Sequence, residues 1–312
     1  MSVPRELHAR AFAPGHVTGI FRPAGAARDP RARGSVGAGV VLELGVTAEA
    51  RFVPGRRGRL RVVADGPGPW PITADVARRL APRTRGTLTV RLAHGLPVGQ
   101  GFGMSAAGAL ATALAVGAIS KTPRERAVRV AHLADLFGGG GLGGVAAILG
   151  GGLEVRRRPG IPPFGDVAHR PFPAPLIVGV VGRAIPSPSV LRNPRALARI
   201  TDASRGWEEL AGRPNEERFF ALSERFTDRA GLASPAVLRT IAALRRRGAA
   251  VCQAMFGESF FARPESPDAR TECIEWLERA GVHAVEIRAS LRGARRLSAD
   301  AVSVPSRSAR GV

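Results

Sequence analysis

The chain has 312 residues, 45% of them hydrophobic, enough for a sizeable core in one large domain or two joined lobes, and nothing in the composition points to a disordered class. Its formal net charge of +21 comes almost wholly from arginine, since Lys121 is the only lysine; the arginines fall in short scattered runs with no tyrosine between them, which argues against a nucleic-acid footprint on one face. Two cysteines, Cys252 and Cys273, exclude a disulfide framework and a structural zinc site, and the polar first ten residues lack the apolar core of a signal peptide, so a cytoplasmic protein is expected.

Residues 9–18 read as an alternating strand stopped by Pro14 and Gly15. His16 follows that turn and either points towards a ligand or serves as a hydrogen-bonded structural residue. Residues 34–46 form a glycine-rich entry into a strand, residues 51–63 add strands around a Pro-Gly-Arg-Arg-Gly turn, residues 75–80 a short helix and residues 87–92 a further strand. The first hundred residues are therefore mostly β.

The stretch 96–111, Leu-Pro-Val-Gly-Gln-Gly-Phe-Gly-Met-Ser-Ala-Ala-Gly-Ala-Leu-Ala, carries glycines at 99, 101 and 103 into an apolar helix expected over Met104–Ile119. Glycine lets an anion approach the backbone closely, and a helix start offers unpaired N–H groups and a positive dipole end, so this is a phosphate cradle. Ser105 caps those N–H groups or holds an oxygen or a metal. No lysine follows as in a Walker A loop, and no acid lies about 20 residues on within a βαβ unit as in a dinucleotide fold. The helix is apolar almost all round, hence buried, and too short to span a membrane.

A second helix is expected over 123–137, where Val128, Ala131 and Asp135 share a face. Asp135 either closes a solvated face or supplies the acid that holds magnesium against nucleotide phosphates. Residues 138–144, almost all glycine, form a second donor-rich loop, and the glycines between 138 and 152 mark the expected seam between lobes. Residues 150–155 turn into a strand, 156–163 an arginine- and proline-rich loop, and 176–181 a buried strand. Ser187 and Ser189 either contact substrate or only mark a turn. Helices at 194–203, 215–230, 235–247 and 268–280, strands at 249–262 and 281–288, and a frayed tail from Ser298 complete the chain.

The motifs Ala-Phe-Ala-Pro-Gly-His-Val-Thr-Gly at 11–19, Gly-Ser-Val-Gly-Ala-Gly-Val at 34–40, the loop at 96–109, Pro-Gly-Ile-Pro-Pro at 159–163 and Gln-Ala-Met-Phe-Gly-Glu-Ser-Phe-Phe-Ala at 253–262 occur in this order. As a set they resemble the GHMP kinase superfamily and, within it, the pantoate kinase family of archaeal coenzyme A synthesis, over residues 11–262. The resemblance implies an α+β, two-lobed GHMP kinase-like fold, with an ATP-binding lobe over residues 1–150, a second lobe over 151–297 and the tail over 298–312.

It further implies that Pro97, Val98, Gly99, Gln100, Gly101, Phe102, Gly103, Met104, Ser105, Ala106 and Ala107 hold the ATP phosphates. Ser105 and Asp135 would be the catalytic and Mg²⁺-binding pair, Asp135 taking the place of the superfamily's glutamate. Gln253 and Gly257 belong to the motif that shapes the substrate side; His16 and Ser187, read from the residues themselves, are further candidates for substrate contact. The implied reaction moves the γ-phosphate of ATP to the primary hydroxyl of pantoate, and a homodimer is expected by the resemblance alone. Pantoate is an anion, and Arg156 and Arg158 are candidates for its carboxylate, the alternative for each being an ordinary surface charge.

One position departs from the family: where Gly-Leu-Gly-Asp-Val is usual, residues 141–145 read Gly-Leu-Gly-Gly-Val, so Gly144 replaces the acid expected to orient or deprotonate the hydroxyl. Alternative expectations keep the fold with another alcohol such as homoserine or an isoprenoid, or keep nucleotide binding without turnover.

Overall fold

The computed structural model describes residues 6–24, 27–65, 68–184 and 187–298, the side chains of residues 187 and 188 excepted. Two sheets, each backed by helices, organise it. The first is built on two long strands, β1 (Leu7–Ala24) and β2 (Gly34–Pro54), paired antiparallel along their length. β3 (Arg59–Ala64), helix α1 (Pro71–Leu80) and β4 (Gly86–His94) follow; β4 pairs antiparallel with the distal half of β2 and parallel with β3.

The strand expected to stop at Pro14 and Gly15 instead runs on to Ala24. Its register against β2 shifts at Pro14/Gly15 and again at Thr18/Ile20, so the breakers are absorbed as bulges rather than as an end. Bulges bend a strand and re-aim its side chains. Here they fall on either side of His16 and Thr18.

Helix α2 (Met104–Ile119) lies where the sequence places it, packed on β1 and β2 and flanked by α1 and α3 (Arg124–Phe137). Only Ser105 and Ala118 of its residues are not buried. On α3, Val128, Ala131 and Asp135 share a face, as their spacing predicts, and all three are buried, so Asp135 does not close a solvated face. A short helix α4 (Gly144–Ala147) closes the glycine run.

The expected seam at residue 150 is not a boundary between sheets. β5 (Leu153–Arg158) pairs with β2 and β6 (Asp166–Arg170) with β5, extending the first sheet well past it. The loop expected from Arg156 is likewise strand as far as Arg158, because Glu154 and Arg156, two residues apart, turn the same way and pair with each other in the interior.

β7 (Leu176–Val180) begins the second sheet. Helices α5 (Ser187–Leu191), α6 (Pro194–Ala203), α7 (Trp207–Gly212), α8 (Glu216–Ala230) and α9 (Pro235–Arg245) come next. Then follow β8 (Ala249–Gln253), β9 (Ser259–Pro264), α10 (Pro267–Arg279) and β10 (His283–Ile287), giving the antiparallel order β10-β7-β9-β8. Several of these helices start on side-chain caps, Asn193, Asn215, Ser234 and Ser266. The chain finally returns to the first sheet, where β11 (Arg295–Leu297) pairs with β1. No described helix is long and apolar enough to cross a membrane.

Candidate active site

Gly99, Gly101 and Gly103 have φ of +78°, +76° and +69°, the left-handed region that glycine enters at little cost. The loop they shape is fastened from both sheets. The His16 N–H donates to the Phe102 carbonyl at 3.0 Å, the Ser259 hydroxyl donates to the Gln100 carbonyl at 2.5 Å, and Gln100 Nε2 donates to the Gly182 carbonyl at 2.9 Å. Gly103 stands at the N-cap of α2 and no side chain caps that end. The first N–H groups of α2 therefore have no side-chain cap, an arrangement suited to phosphate.

Ser105, in the first turn of α2, donates its hydroxyl to Asp135 Oδ1 on α3 at 2.8 Å. Asp135 is 3% exposed, and burial pushes its carboxyl up to about 6 against the lowering effect of the Ser105 bond. Gly140 lies directly over the pair; a Cβ there would overlap both Asp135 Oδ1 and Ser105 Oγ, which explains a glycine at that point of the run. One carboxylate and one hydroxyl beside an open helix start suit a hard cation that keeps most of its waters and shares itself with phosphate. Among the described residues no cluster of three or more His, Cys, Asp or Glu forms a self-sufficient metal cage.

A second polar group lies inside the first sheet. His16 Nε2 and Glu154 Oε1 are 2.8 Å apart, Glu154 is ion-paired with Arg156, and all three residues are buried. Burial holds the His16 imidazole below the ordinary histidine value, opposed by the bond to Glu154. The other ring nitrogen, Nδ1, is 3.3 Å from Thr18 Oγ1. β2 admits the ring only because Gly39 has no Cβ, which would overlap the imidazole.

Glu154 apart, these groups open onto one cavity of about 330 Å³, within the usual range for a small-molecule site. Its wall includes Val98, Gly99, Gly101, Phe102, Gly103, Met104, Ser105 and Ala106, as well as His16, Asp135 and Arg156. The remaining candidates fall elsewhere. Pro97 is exposed outside the cavity, Gln100 turns its side chain to Gly182, and Ala107 is buried one turn into α2. Arg158 is exposed at the end of β5 and does not line the cavity.

Gln253 and Gly257 lie behind the loop rather than in the cavity: Gln253 Nε2 donates to the Gly257 carbonyl at 2.9 Å, and Gly257 packs against the Gln100 carbonyl. Their motif thus supports the phosphate loop. Ser187 opens α5, and its side chain lies outside the described residues.

Sequence reasoning missed Thr18, Ser35, Glu154 and Phe256. Glu154 left a trace, an acid in an apolar strand two residues from an arginine, where the pair can neutralise each other on one face. Gly144 does line the cavity. A Cβ on it would stand 4.0 Å from Asp135 Oδ2 and 2.7 Å from the Ala106 Cβ, so the acid missing from this chain would have sat beside Asp135.

Residues 72–152 match the family described as GHMP kinases N terminal domain. The chain is 35% identical over 229 residues to a pantoate kinase of Thermococcus kodakarensis, covering 72% of this chain and 76% of that protein. It is 31% identical over 266 residues to a pantoate kinase of Methanospirillum hungatei, covering 81% and 86%. Among solved structures, a phosphotransferase related to the CoA biosynthesis pathway superposes with a TM-score of 0.83 at 28% identity, over 93% of this chain and 99% of that one. At this identity and coverage, the chain belongs to the pantoate kinase family.

Proposed function

We propose that this protein transfers the γ-phosphoryl group of ATP to the primary hydroxyl of pantoate, giving 4-phosphopantoate in the archaeal route to coenzyme A. The observation that carries the reading is the glycine loop, three left-handed glycines leading into a helix start with no side-chain cap, with Ser105 and Asp135 beside it. Backbone N–H groups of the loop and of the first turn of α2 take the phosphate oxygens. Ser105 and Asp135 would hold Mg²⁺, which supplies charge neutralisation between the phosphates. Arg156, buried with its Nε lacking a hydrogen-bond partner and facing the cavity wall near Gly143, is suited to the pantoate carboxylate.

Loss of the family's acid at Gly144 does not by itself abolish this chemistry. A general base contributes about 10²- to 10⁴-fold, whereas phosphoryl transfer rests chiefly on positioning and charge stabilisation. The test is ADP release with ATP and Mg²⁺ in the presence of pantoate, homoserine, mevalonate or no acceptor. Turnover dependent on pantoate is the expected result. Tight ATP binding with silence towards every acceptor would instead favour a nucleotide-binding protein without turnover, the reading that Gly144 motivates.

A further inference from the structure

A kinase without the usual carboxylate still releases the proton of the acceptor hydroxyl. The cavity wall offers a route for it. Glu154 is ion-paired with Arg156, so it accepts from His16 Nε2, which must then carry the ring proton. The tautomer this imposes leaves a lone pair on Nδ1, and Nδ1 accepts from Thr18 Oγ1 at 3.3 Å. Thr18 is half-buried and lines the cavity, and with its own proton turned to His16 its oxygen lone pairs are free to accept from a hydroxyl there.

The arrangement is also placed to serve the reacting phosphate. The backbone of His16 is bonded to Phe102 in the phosphate loop, and a Cβ on Gly103 would lie 3.2 Å from the His16 Cβ. On the other side, the Arg156 side chain runs from Glu154 to Gly143, where a Cβ would meet its Nε at 2.9 Å. The group is therefore bonded to the phosphate loop through the His16 backbone and reaches, at Arg156, the neighbourhood of Gly143. Asp135 Oδ1 takes the Ser105 hydroxyl, and Oδ2, the oxygen nearer Gly144, is committed to the cation in the reading above.

Resting on the kinase reading above, we propose that Thr18, His16 and Glu154 form a proton relay that does the work of the carboxylate absent at Gly144. As the acceptor oxygen bonds to the γ-phosphorus and the bond from phosphorus to the bridging oxygen breaks, ADP leaves with that electron pair. The acceptor proton passes to Thr18 Oγ1 while the Thr18 proton passes to His16 Nδ1. The imidazolium so formed faces Glu154 and Arg156 from β5 and His169 from β6 until it loses its proton to solvent. Thr18 is the catalytic residue of this relay and Glu154 a positioning residue, fixing the tautomer from behind the ring.

The experiment is single-turnover phosphorylation of pantoate by the full chain and by Thr18→Val, Thr18→Ser and His16→Asn, with ATP affinity measured for each. The relay predicts a rate about 10²-fold lower for Thr18→Val at unchanged ATP affinity, the lower end of general-base catalysis. Thr18→Ser, which keeps the hydroxyl, should stay within a few-fold of the unmodified chain, and His16→Asn should fall with Thr18→Val. A Thr18→Val rate within threefold of the unmodified protein overturns the relay. Equal losses in Thr18→Val and Thr18→Ser overturn it too, because they would mark a packing role; if Thr18→Val loses ATP binding, Thr18→Ala carries the same prediction. Silence of the unmodified chain with pantoate would sink the kinase reading itself, a result the variants cannot produce.

Discussion

As the proposed cation ligand Asp135 would have to be ionised, yet it is buried almost completely, which sets stability against that role. Its folded value of about 6 lies above the ordinary 3.8, so the folded chain holds that proton more tightly than the unfolded chain. The associated stabilisation is complete below about pH 4 and is lost as the pH rises through 6. At pH 8, in the absence of divalent cations, the ionised group then weakens the fold by on the order of 2 to 3 kcal/mol. Asp135→Asn should accordingly stabilise the cation-free protein by about that amount at pH 8 and by little at pH 4, as urea unfolding at the two pH values would show. The same variant should lose at least about 10²-fold in turnover, the scale of removing one electrostatic partner of a transition state. Glu154 presents the opposite case. Glu154→Gln leaves the buried Arg156 guanidinium without its counter-ion, and we expect a loss of about 3 to 5 kcal/mol in the same unfolding assay. Asp135 was legible in part: helical spacing put it beside Val128 and Ala131 but left a solvated face equally open. Glu154 was not, because in a chain with this many arginines a Glu-Val-Arg strand also fits a solvated edge, and only pairing with β2 and β6 buries it.

Among the elements, the phosphate loop and α2 were the most legible, since glycine spacing followed by an unbroken apolar run is a local signal that needs no tertiary context. The conformations bear this out at Gly101, where φ is +76° and a Cβ would come within 2.8 Å of the Ala254 carbonyl carbon. Gly101→Ala meets two obstacles, a left-handed backbone costing about 1 to 2 kcal/mol for an L-residue and a collision with main chain that cannot swing aside. Weaker ATP binding by tenfold or more, read by calorimetric titration, is the expected outcome, together with a lower melting temperature. β1 was legible only in part. Pro14 and Gly15 are stop signals in isolation, but a long partner strand with matching glycines, Gly45 opposite Pro14 and Gly39 opposite Thr18, takes them up as bulges. Those same bulges aim His16 and Thr18, so the part of the strand hardest to read is the part that carries the side chains of the site.

At the scale of the whole molecule, the expected two lobes are more entangled than a boundary near residue 150 implies. β5, β6 and β11 belong to the first sheet, and α8 packs on β1. Such long-range pairings leave no local mark in composition or periodicity, so the glycine run reads as a seam in the sequence alone. The contact of β1 with α8 is close: a Cβ on Gly19 would stand 2.8 Å from the Ser223 Cβ and 2.9 Å from the Phe219 ring. Gly19→Ala should therefore push α8 away from the first sheet and destabilise the fold by about 1 to 3 kcal/mol, visible as a melting temperature several degrees lower. The glycine loop is tied to this larger arrangement, with its hydrogen bonds running from Phe102 to β1 and from Gln100 to Ser259 and Gly182. It is consequently not a transplantable cassette: moved with α2 alone onto a foreign scaffold, it would keep its glycines and lose the three anchors that give them a shape.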